Sequence, residues 1–200
     1  MKRLASLFTL VLILSSVATQ LAEADWYDKG VPLTNGQNPV IALTGTFAFT
    51  SPNGGVHCNA GVMELELIGG TTDGHISTIN AEEADKCEIV GPLALLCKGT
   101  TTIQSFNLTS TPTLINNGGA NIRITNVDLD VECTGLTVTL ISMAGQPMVA
   151  TPDNTTGIGK LTLSGRLQAK FGEFPGESEV TMAGTQSVLG GKAGTYGLVS

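Results

Sequence analysis

Short segments of alternating apolar and polar residues make up most of the chain after residue 40, and turn residues separate them. The clearest, residues 122–131, alternates Ile, Val and Leu with polar residues and has one phase slip at residues 125–126. Such period-two alternation is typical of half-buried strands, and clusters of Gly, Asn and Pro mark turns. About ten such segments, with turn signals roughly every 8–12 residues, predict an all-β fold. We therefore predict a single antiparallel β-sandwich over residues 40–200, with Greek-key connections and two disulfides.

One of these segments, residues 56–68, changes its apolar face part-way along, from Cys58 and Val62 to Leu65 and Leu67. A change of phase within one strand indicates a β-bulge, in which an extra residue shifts the alternation. We therefore predict a bulge near Met63.

The first 24 residues have the layout of a secretory signal peptide. Lys2 and Arg3 are followed by the almost wholly apolar residues 4–17, and an A-x-A pattern at residues 22–24 precedes Asp25. The apolar run is shorter than the roughly 20 residues of a membrane-spanning helix, which favours cleavage after Ala24 over a membrane anchor. We predict a mature form with no transmembrane segment, in which residues 25–39 are a polar N-terminal lead-in.

The four cysteines are expected to form two disulfides, because an even count in an exported chain is typical of covalent staples. Three connectivities are open. We favour Cys87–Cys97, which closes a local loop, together with Cys58–Cys133, which joins two strands. A zinc site is disfavoured because no C-x₂-C pair occurs and neither histidine has a finger-like spacing.

The charge and the aromatic content of the chain exclude several classes of function. A net charge of −7 argues against nucleic acid and anionic membranes as partners. The chain has one Trp and two Tyr, so it offers few aromatic platforms for sugar rings. Carbohydrate binding and glycoside hydrolysis are disfavoured for that reason.

No catalytic constellation is visible around the two histidines, His57 and His75. Neither G-x-S-x-G nor H-E-x-x-H occurs, so we predict no catalytic residues and no cofactor. Asp128, Asp130 and Glu132 alternate along one predicted strand and therefore face the same way. Three carboxylates on one face are a weak calcium candidate, and the solvated face of a half-buried strand is the favoured interpretation.

Asn107 and Asn154 each begin an N-x-[ST] glycosylation acceptor pattern. The pattern has a meaning only in a eukaryotic secretory pathway. In a Thr-rich bacterial chain it occurs by chance, and the sequence leaves both interpretations open.

A series of strand and turn motifs in a fixed order carries a resemblance to known proteins. The motifs are GGVHC at 54–58, IRITNVDLD at 122–130, Cys133, LTVTL at 136–140, ATPDN at 150–154, KLTLSG at 160–165 and AGTYG at 193–197. In this order they resemble small secreted bacterial proteins of unknown function, many of them from actinobacteria. The chain is more distantly similar to the protein activator of alkane oxidation family. It departs from that family in its acidic segment 81–86 and in lacking a Pro-Trp after the middle strands. The resemblance implies an exported β-sandwich with disulfides and a surface-associated role, and it supplies no catalytic residues.

Together these features predict an exported non-enzymatic protein that is secreted, extracellular or attached to the cell surface, or periplasmic in a Gram-negative cell. It would act as a structural or interaction module toward a protein or a cell-envelope component. One alternative is a binding module for a small apolar or lipid-like ligand, held in a cavity lined by Phe47, Phe49, Leu129 and Val131. The other is a secreted hydrolase or metal-dependent enzyme that uses His57 or His75 beside acidic neighbours.

Overall fold

The computed structural model describes residues 25–80, 87–97, 103, 105–116, 121–172, 177–190 and 192–199. The predicted signal peptide and the acidic segment 81–86 lie outside these residues. A four-residue helix, α1 (Leu93–Leu96), stands between the sixth and seventh strands. The strands in chain order are β1 (Tyr27–Asp28), β2 (Val31–Pro32), β3 (Val40–Ser51), β4 (Gly54–Leu67), β5 (Asp73–Asn80), β6 (Cys87–Val90), β7 (Ser105–Leu108), β8 (Thr113–Asn116), β9 (Ile122–Thr125), β10 (Asp128–Cys133), β11 (Leu136–Ser142), β12 (Met148–Pro152), β13 (Lys160–Phe171), β14 (Glu177–Val188) and β15 (Tyr196–Gly197).

Eight of these strands close into an antiparallel barrel. The ring runs β3-β4-β5-β8-β9-β12-β13-β14 and returns to β3. The pairing that completes it joins residues 149–152 of β12 to residues 161–164 of β13. The predicted β-sandwich with Greek-key connections is therefore wrong, whereas the prediction of an all-β, antiparallel chain with two disulfides is confirmed.

The division of one predicted strand into two supplies one strand of the ring. Asn126, at the predicted phase slip, has a φ of 60°, in the left-handed region that Asn tolerates better than most residues. The chain therefore turns there, and the alternating segment 122–131 becomes β9 and β10. Strand β9 joins the barrel through β8 and β12, whereas β10 pairs with β7 and β11 outside it.

Four long strands, β3, β4, β13 and β14, are shared by two halves of the molecule. Residues 62–67 of β4 pair with β5, and residues 55–58 pair with β6. Residues 161–164 of β13 pair with β12, and residues 167–171 pair with β11. We call the closed ring the barrel half. The other end, in the order β6-β4-β3-β14-β13-β11-β10-β7, is the open half, because β6 and β7 are not paired with each other among the described residues.

Both disulfides lie in the open half, and their pairing corrects the predicted one. Cys58 bonds to Cys87, which is its direct partner in the β4–β6 ladder, with Cα atoms 4.0 Å apart. Cys97, just after α1, bonds to Cys133 at the end of β10. The predicted bonds Cys87–Cys97 and Cys58–Cys133 are wrong because the pairing of β6 with β4 sets Cys58 opposite Cys87. Two disulfides fit a protein that resides outside the reducing cytoplasm.

The segment 25–39, predicted as a polar lead-in, packs into one end of the barrel half. Trp26 is 1% exposed and donates from Nε1 to the Asp73 carbonyl oxygen at 2.7 Å. Strand β1 pairs with β2 and with β15, so both ends of the described chain meet in a small three-stranded sheet. The buried Asn116 amide donates to the carbonyl oxygens of Asp25 and Leu198. This end of the barrel is therefore closed by Trp26 and by the two terminal segments.

The open half is filled by aromatic and aliphatic side chains. Phe47 packs edge-on against Phe106 of β7, with ring centroids 5.4 Å apart, and against Phe49 at 5.7 Å. Leu93 of α1 is buried against this cluster. Within the described ranges, no helix combines the length and apolar character that crossing a membrane requires.

Candidate functional site

The four shared strands carry glycines at the level where the barrel half meets the open half. We call this level the waist. Each shared strand carries a glycine near its middle and in phase with neighbouring buried residues: Gly45, Gly61, Gly165 and Gly184. A Cβ added at Gly61 would collide with the Phe47 ring, and one added at Gly184 would lie 2.6 Å from the Thr46 carbonyl oxygen. These positions exclude side chains because the strands approach one another and the core so closely.

A β-bulge lies at the same level of the sheet. Gly45 pairs with Gly61, whereas Phe47 pairs with Cys58, so β4 holds one extra residue at Asn59–Ala60. The predicted bulge near Met63 lies between this bulge of β4 and a second register shift at Glu64–Leu65, where the extra residue is on β5. Bulges increase local twist and bend a strand, and glycines within strands permit tight bends.

An open groove of about 540 Å³ lies on the outer face of the shared sheet at this waist. Its floor is low because Ala48 and Ala183, which are cross-strand partners, have only methyl side chains. Polar side chains from all four shared strands surround the floor: Thr46, His57, Asn59, Thr162, Ser164 and Thr185.

The polar side chains of the groove are arranged in register. Thr46 pairs with Thr185, and Thr185 pairs with Thr162, which gives a row of hydroxyls across β3, β14 and β13. The row continues to Thr151 of β12, whose hydroxyl donates to the Asn121 side chain at 2.8 Å. Among the described residues, the hydroxyls of Thr46, Thr162 and Thr185 make no hydrogen bond within the protein, so they are available to a ligand or to water.

The structure places the two histidines apart. His57 lines the groove beside Ala48, and Glu88 on β6 is its other cross-strand partner. His75 lies on β5 opposite Glu66, about 30 Å along β4 from His57 at the usual rise per residue. His75 Nδ1 is buried and has no hydrogen-bond partner among the described residues. The two histidines therefore do not belong to one site.

The three carboxylates of the calcium candidate share one face of β10, as their spacing predicts, but each has its own surroundings. Asp130 accepts a hydrogen bond from the Thr139 hydroxyl, and Glu132 accepts one from the Ser105 hydroxyl, both at 2.6 Å. One oxygen of Asp128 is buried and has no hydrogen-bond partner in the described part of the chain. In the part of the chain that the structure describes, no group of three or more His, Cys, Asp or Glu residues is placed to hold a metal ion.

The cavity that the apolar-ligand alternative requires is nearly filled. Phe49 and Val131 line a cavity in the open half of about 30 Å³. Trp26 lines another in the barrel half of about 20 Å³. Each volume is enough for about one water molecule, whereas small-molecule pockets start near 300 Å³. Leu129, also expected at such a cavity, is 1% exposed and packed in the core.

Both glycosylation acceptors are exposed. Asn107 lies on β7, where its side-chain amide donates to the Ser105 hydroxyl at 3.2 Å. Asn154 lies in the loop before β13, where its side-chain oxygen accepts from the backbone N–H and the hydroxyl of Thr156. Local hydrogen bonds thus occupy both side chains without burying them.

The groove residues were missed by the sequence analysis, which treated them only as outward positions of strands. Two signals pointed toward them: hydroxyl residues recurring at alternate outward positions, and a glycine in the middle of each long strand. Comparison of the chain with protein-family models, with curated proteins and with solved structures finds no match. The resemblance to secreted bacterial proteins and to the alkane-oxidation activator family therefore stays a prediction.

Proposed function

We propose that the protein is an exported, non-enzymatic interaction module that contacts a partner at or outside the cell surface through the groove on its outer face. The observation that carries this proposal is the groove itself. Its volume of about 540 Å³ lies within the usual range of ligand sites, and its polar groups converge on a low apolar floor. The two core cavities beside Phe49 and Trp26, which described residues line, hold only about 30 and 20 Å³.

The remainder of the architecture supports an extracellular role. The disulfides Cys58–Cys87 and Cys97–Cys133 persist in an oxidising compartment. The groove is built on the four longest strands, and the two central ones, β3 and β14, are paired on both sides along the waist. A binding surface on paired strands is more rigid than one on loops, so little ordering is required when a partner binds.

The test is the retention of the purified exported protein on envelope material from its source organism, measured by co-sedimentation. Ala183→Arg places a long side chain over the floor of the groove, and Val31→Arg adds the same side chain to an exposed site on the small terminal sheet. We expect the wild type and Val31→Arg to sediment with the envelope and Ala183→Arg to lose at least tenfold. Equal retention of all three proteins, or retention of none, overturns the proposal.

A further inference from the structure

The described lining of the groove is uncharged, although the protein is acidic. The chain has a net charge of −7, yet none of the described residues that line the groove is Asp, Glu, Lys or Arg. A charged ligand there would lose part of its hydration without gaining a counter-charge, which is costly. An anionic ligand would also be repelled by the net charge of the protein. The lining therefore favours a ligand without formal charge.

The groups that the groove offers are hydroxyls, an amide and an imidazole. Neighbouring strands lie about 4.8 Å apart, so the hydroxyls of Thr46, Thr185 and Thr162 form a row with roughly that spacing. Each hydroxyl donates one hydrogen bond and accepts up to two. Two outward hydroxyls of the open half, those of Thr139 and Ser105, differ because they already donate to carboxylates. The groove hydroxyls are left for external partners.

The position of these groups on a sheet face distinguishes between classes of neutral ligand. An extended peptide binds a sheet through the backbone groups of an edge strand. In the groove, the backbones of β4, β3, β14 and β13 are already paired with one another. The side-chain hydroxyls and the methyl groups of Ala48 and Ala183 remain available, and these match a ligand whose surface alternates hydroxyls with C–H groups.

We propose, resting on the binding role proposed for the groove, that its ligand is an uncharged polyhydroxylated chain, that is, a neutral glycan. The glycan lies across the threonine row and places its C–H surfaces on Ala48 and Ala183. Among the described residues, no Phe, Tyr or Trp ring faces the groove from outside, because Phe47 is buried beneath the floor. The ligand is held by hydrogen bonds without ring stacking, so single contacts are weak and a repeating polymer binds through many of them.

Two treatments of the envelope separate this proposal from the broader one. Periodate cleaves the vicinal diols of glycans, and a protease removes proteins. We expect periodate treatment of the envelope to abolish the retention of the wild-type protein, as Ala183→Arg weakens it. Protease treatment should leave that retention unchanged. We also expect at least one soluble neutral polysaccharide whose residues carry vicinal diols (mannan or dextran) to compete, and polygalacturonate not to compete. If protease abolishes the retention and periodate does not, the glycan proposal is overturned while the binding role of the groove stands.

A pair of isosteric variants tests the threonine row itself. Thr185→Val removes one groove hydroxyl and keeps the branched shape, whereas Thr181→Val makes the same change on the same face of β14 outside the groove. Loss of one hydrogen bond predicts retention about fivefold weaker for Thr185→Val and unchanged for Thr181→Val. Equal retention of the two variants overturns the proposal, even where Ala183→Arg still blocks the groove.

Discussion

The two halves of the molecule close their cores by different means. In the barrel half, eight strands pair in a ring with no free edge, and neither disulfide joins two strands of that ring. In the open half, the sheet ends at β6 and β7, which are not paired with each other among the described residues. Both disulfides are found there, one joining β6 to β4 and the other joining the segment after α1 to β10. Covalent bonds thus hold the half in which hydrogen bonding does not complete a ring.

This difference predicts that the stability of the two halves depends on different interactions. A hydrogen-bonded ring depends on its packed core and on the closure of its ends, and Trp26 supplies that closure at one end. The open half depends also on the oxidised state of its cysteines. The proposed groove lies at the waist between them, on strands that both halves share, and is therefore sensitive to damage in either half.

Loss of the tryptophan at the barrel end is expected to have the largest effect. Trp26→Ala removes a fully buried ring and its hydrogen bond to the Asp73 carbonyl. Replacement of a buried aromatic residue by Ala costs about 3–5 kcal/mol. Chemical denaturation should show this loss, and hydrogen exchange should show it first in β5, β8 and β9.

A milder variant at the same position serves as the control. Trp26→Phe keeps an aromatic ring and loses the N–H donor, so the expected loss is about 1–2 kcal/mol. A cost for Trp26→Ala below about 1 kcal/mol, or exchange that increases only in the open half, would contradict the role of Trp26 in closing the barrel.

Removal of one disulfide is expected to have the next largest effect and to act on the other half. The double variant Cys97→Ser with Cys133→Ser releases the segment after α1 from the end of β10. Loss of a native disulfide typically costs about 2–4 kcal/mol. Hydrogen exchange should increase in β6, β7 and β10 and remain slow in β8, β9 and β12. If hydrogen exchange in the double variant is equally slow in both halves, this disulfide does not hold the open half closed.

The sequence predicted the strands better than it predicted their partners. The alternation in residues 128–133 and 160–171 matches buried and exposed positions of β10 and β13. Alternation depends on local burial, which each strand carries in its own residues. Whether β12 pairs with β13 to complete a ring depends on contacts between distant segments, and no local pattern encodes it. The turn at Asn126, which divides β9 from β10, was visible only as a phase slip.

The disulfide pairing and the burial of the N-terminal segment also could not be predicted from local sequence. Cys87 and Cys97 are near in sequence, which favoured a local bond, yet the partner of Cys87 is fixed by the register of β6 against β4. Trp26 stands among polar residues, so its burial in the barrel had no local signal. The groove depends on the order of four strands in space, and its residues could be assembled only once that order was known.

The smallest expected effect is a pH dependence confined to the barrel half, at the loop between β12 and β13. Burial raises the pKa of Asp153, but hydrogen bonds from backbone N–H groups, including those of Lys160 and Gly159, outweigh it and hold this pKa below the ordinary value of 3.8. Because the folded pKa is the lower one, the carboxylate stabilises the fold above pH 3.8, and this contribution is lost as the pH falls through the folded pKa. The side chain is exposed, so solvent screens the effect and keeps it small.

NMR titration of the Gly159 and Lys160 amides between about pH 5 and pH 2 measures this contribution directly. We expect both amide signals to shift with a midpoint below that of an unstructured aspartate, and Asp153→Asn to abolish the shift. A shift of the Gly159 and Lys160 signals that persists in Asp153→Asn would contradict a local origin in the hydrogen bonds to Asp153.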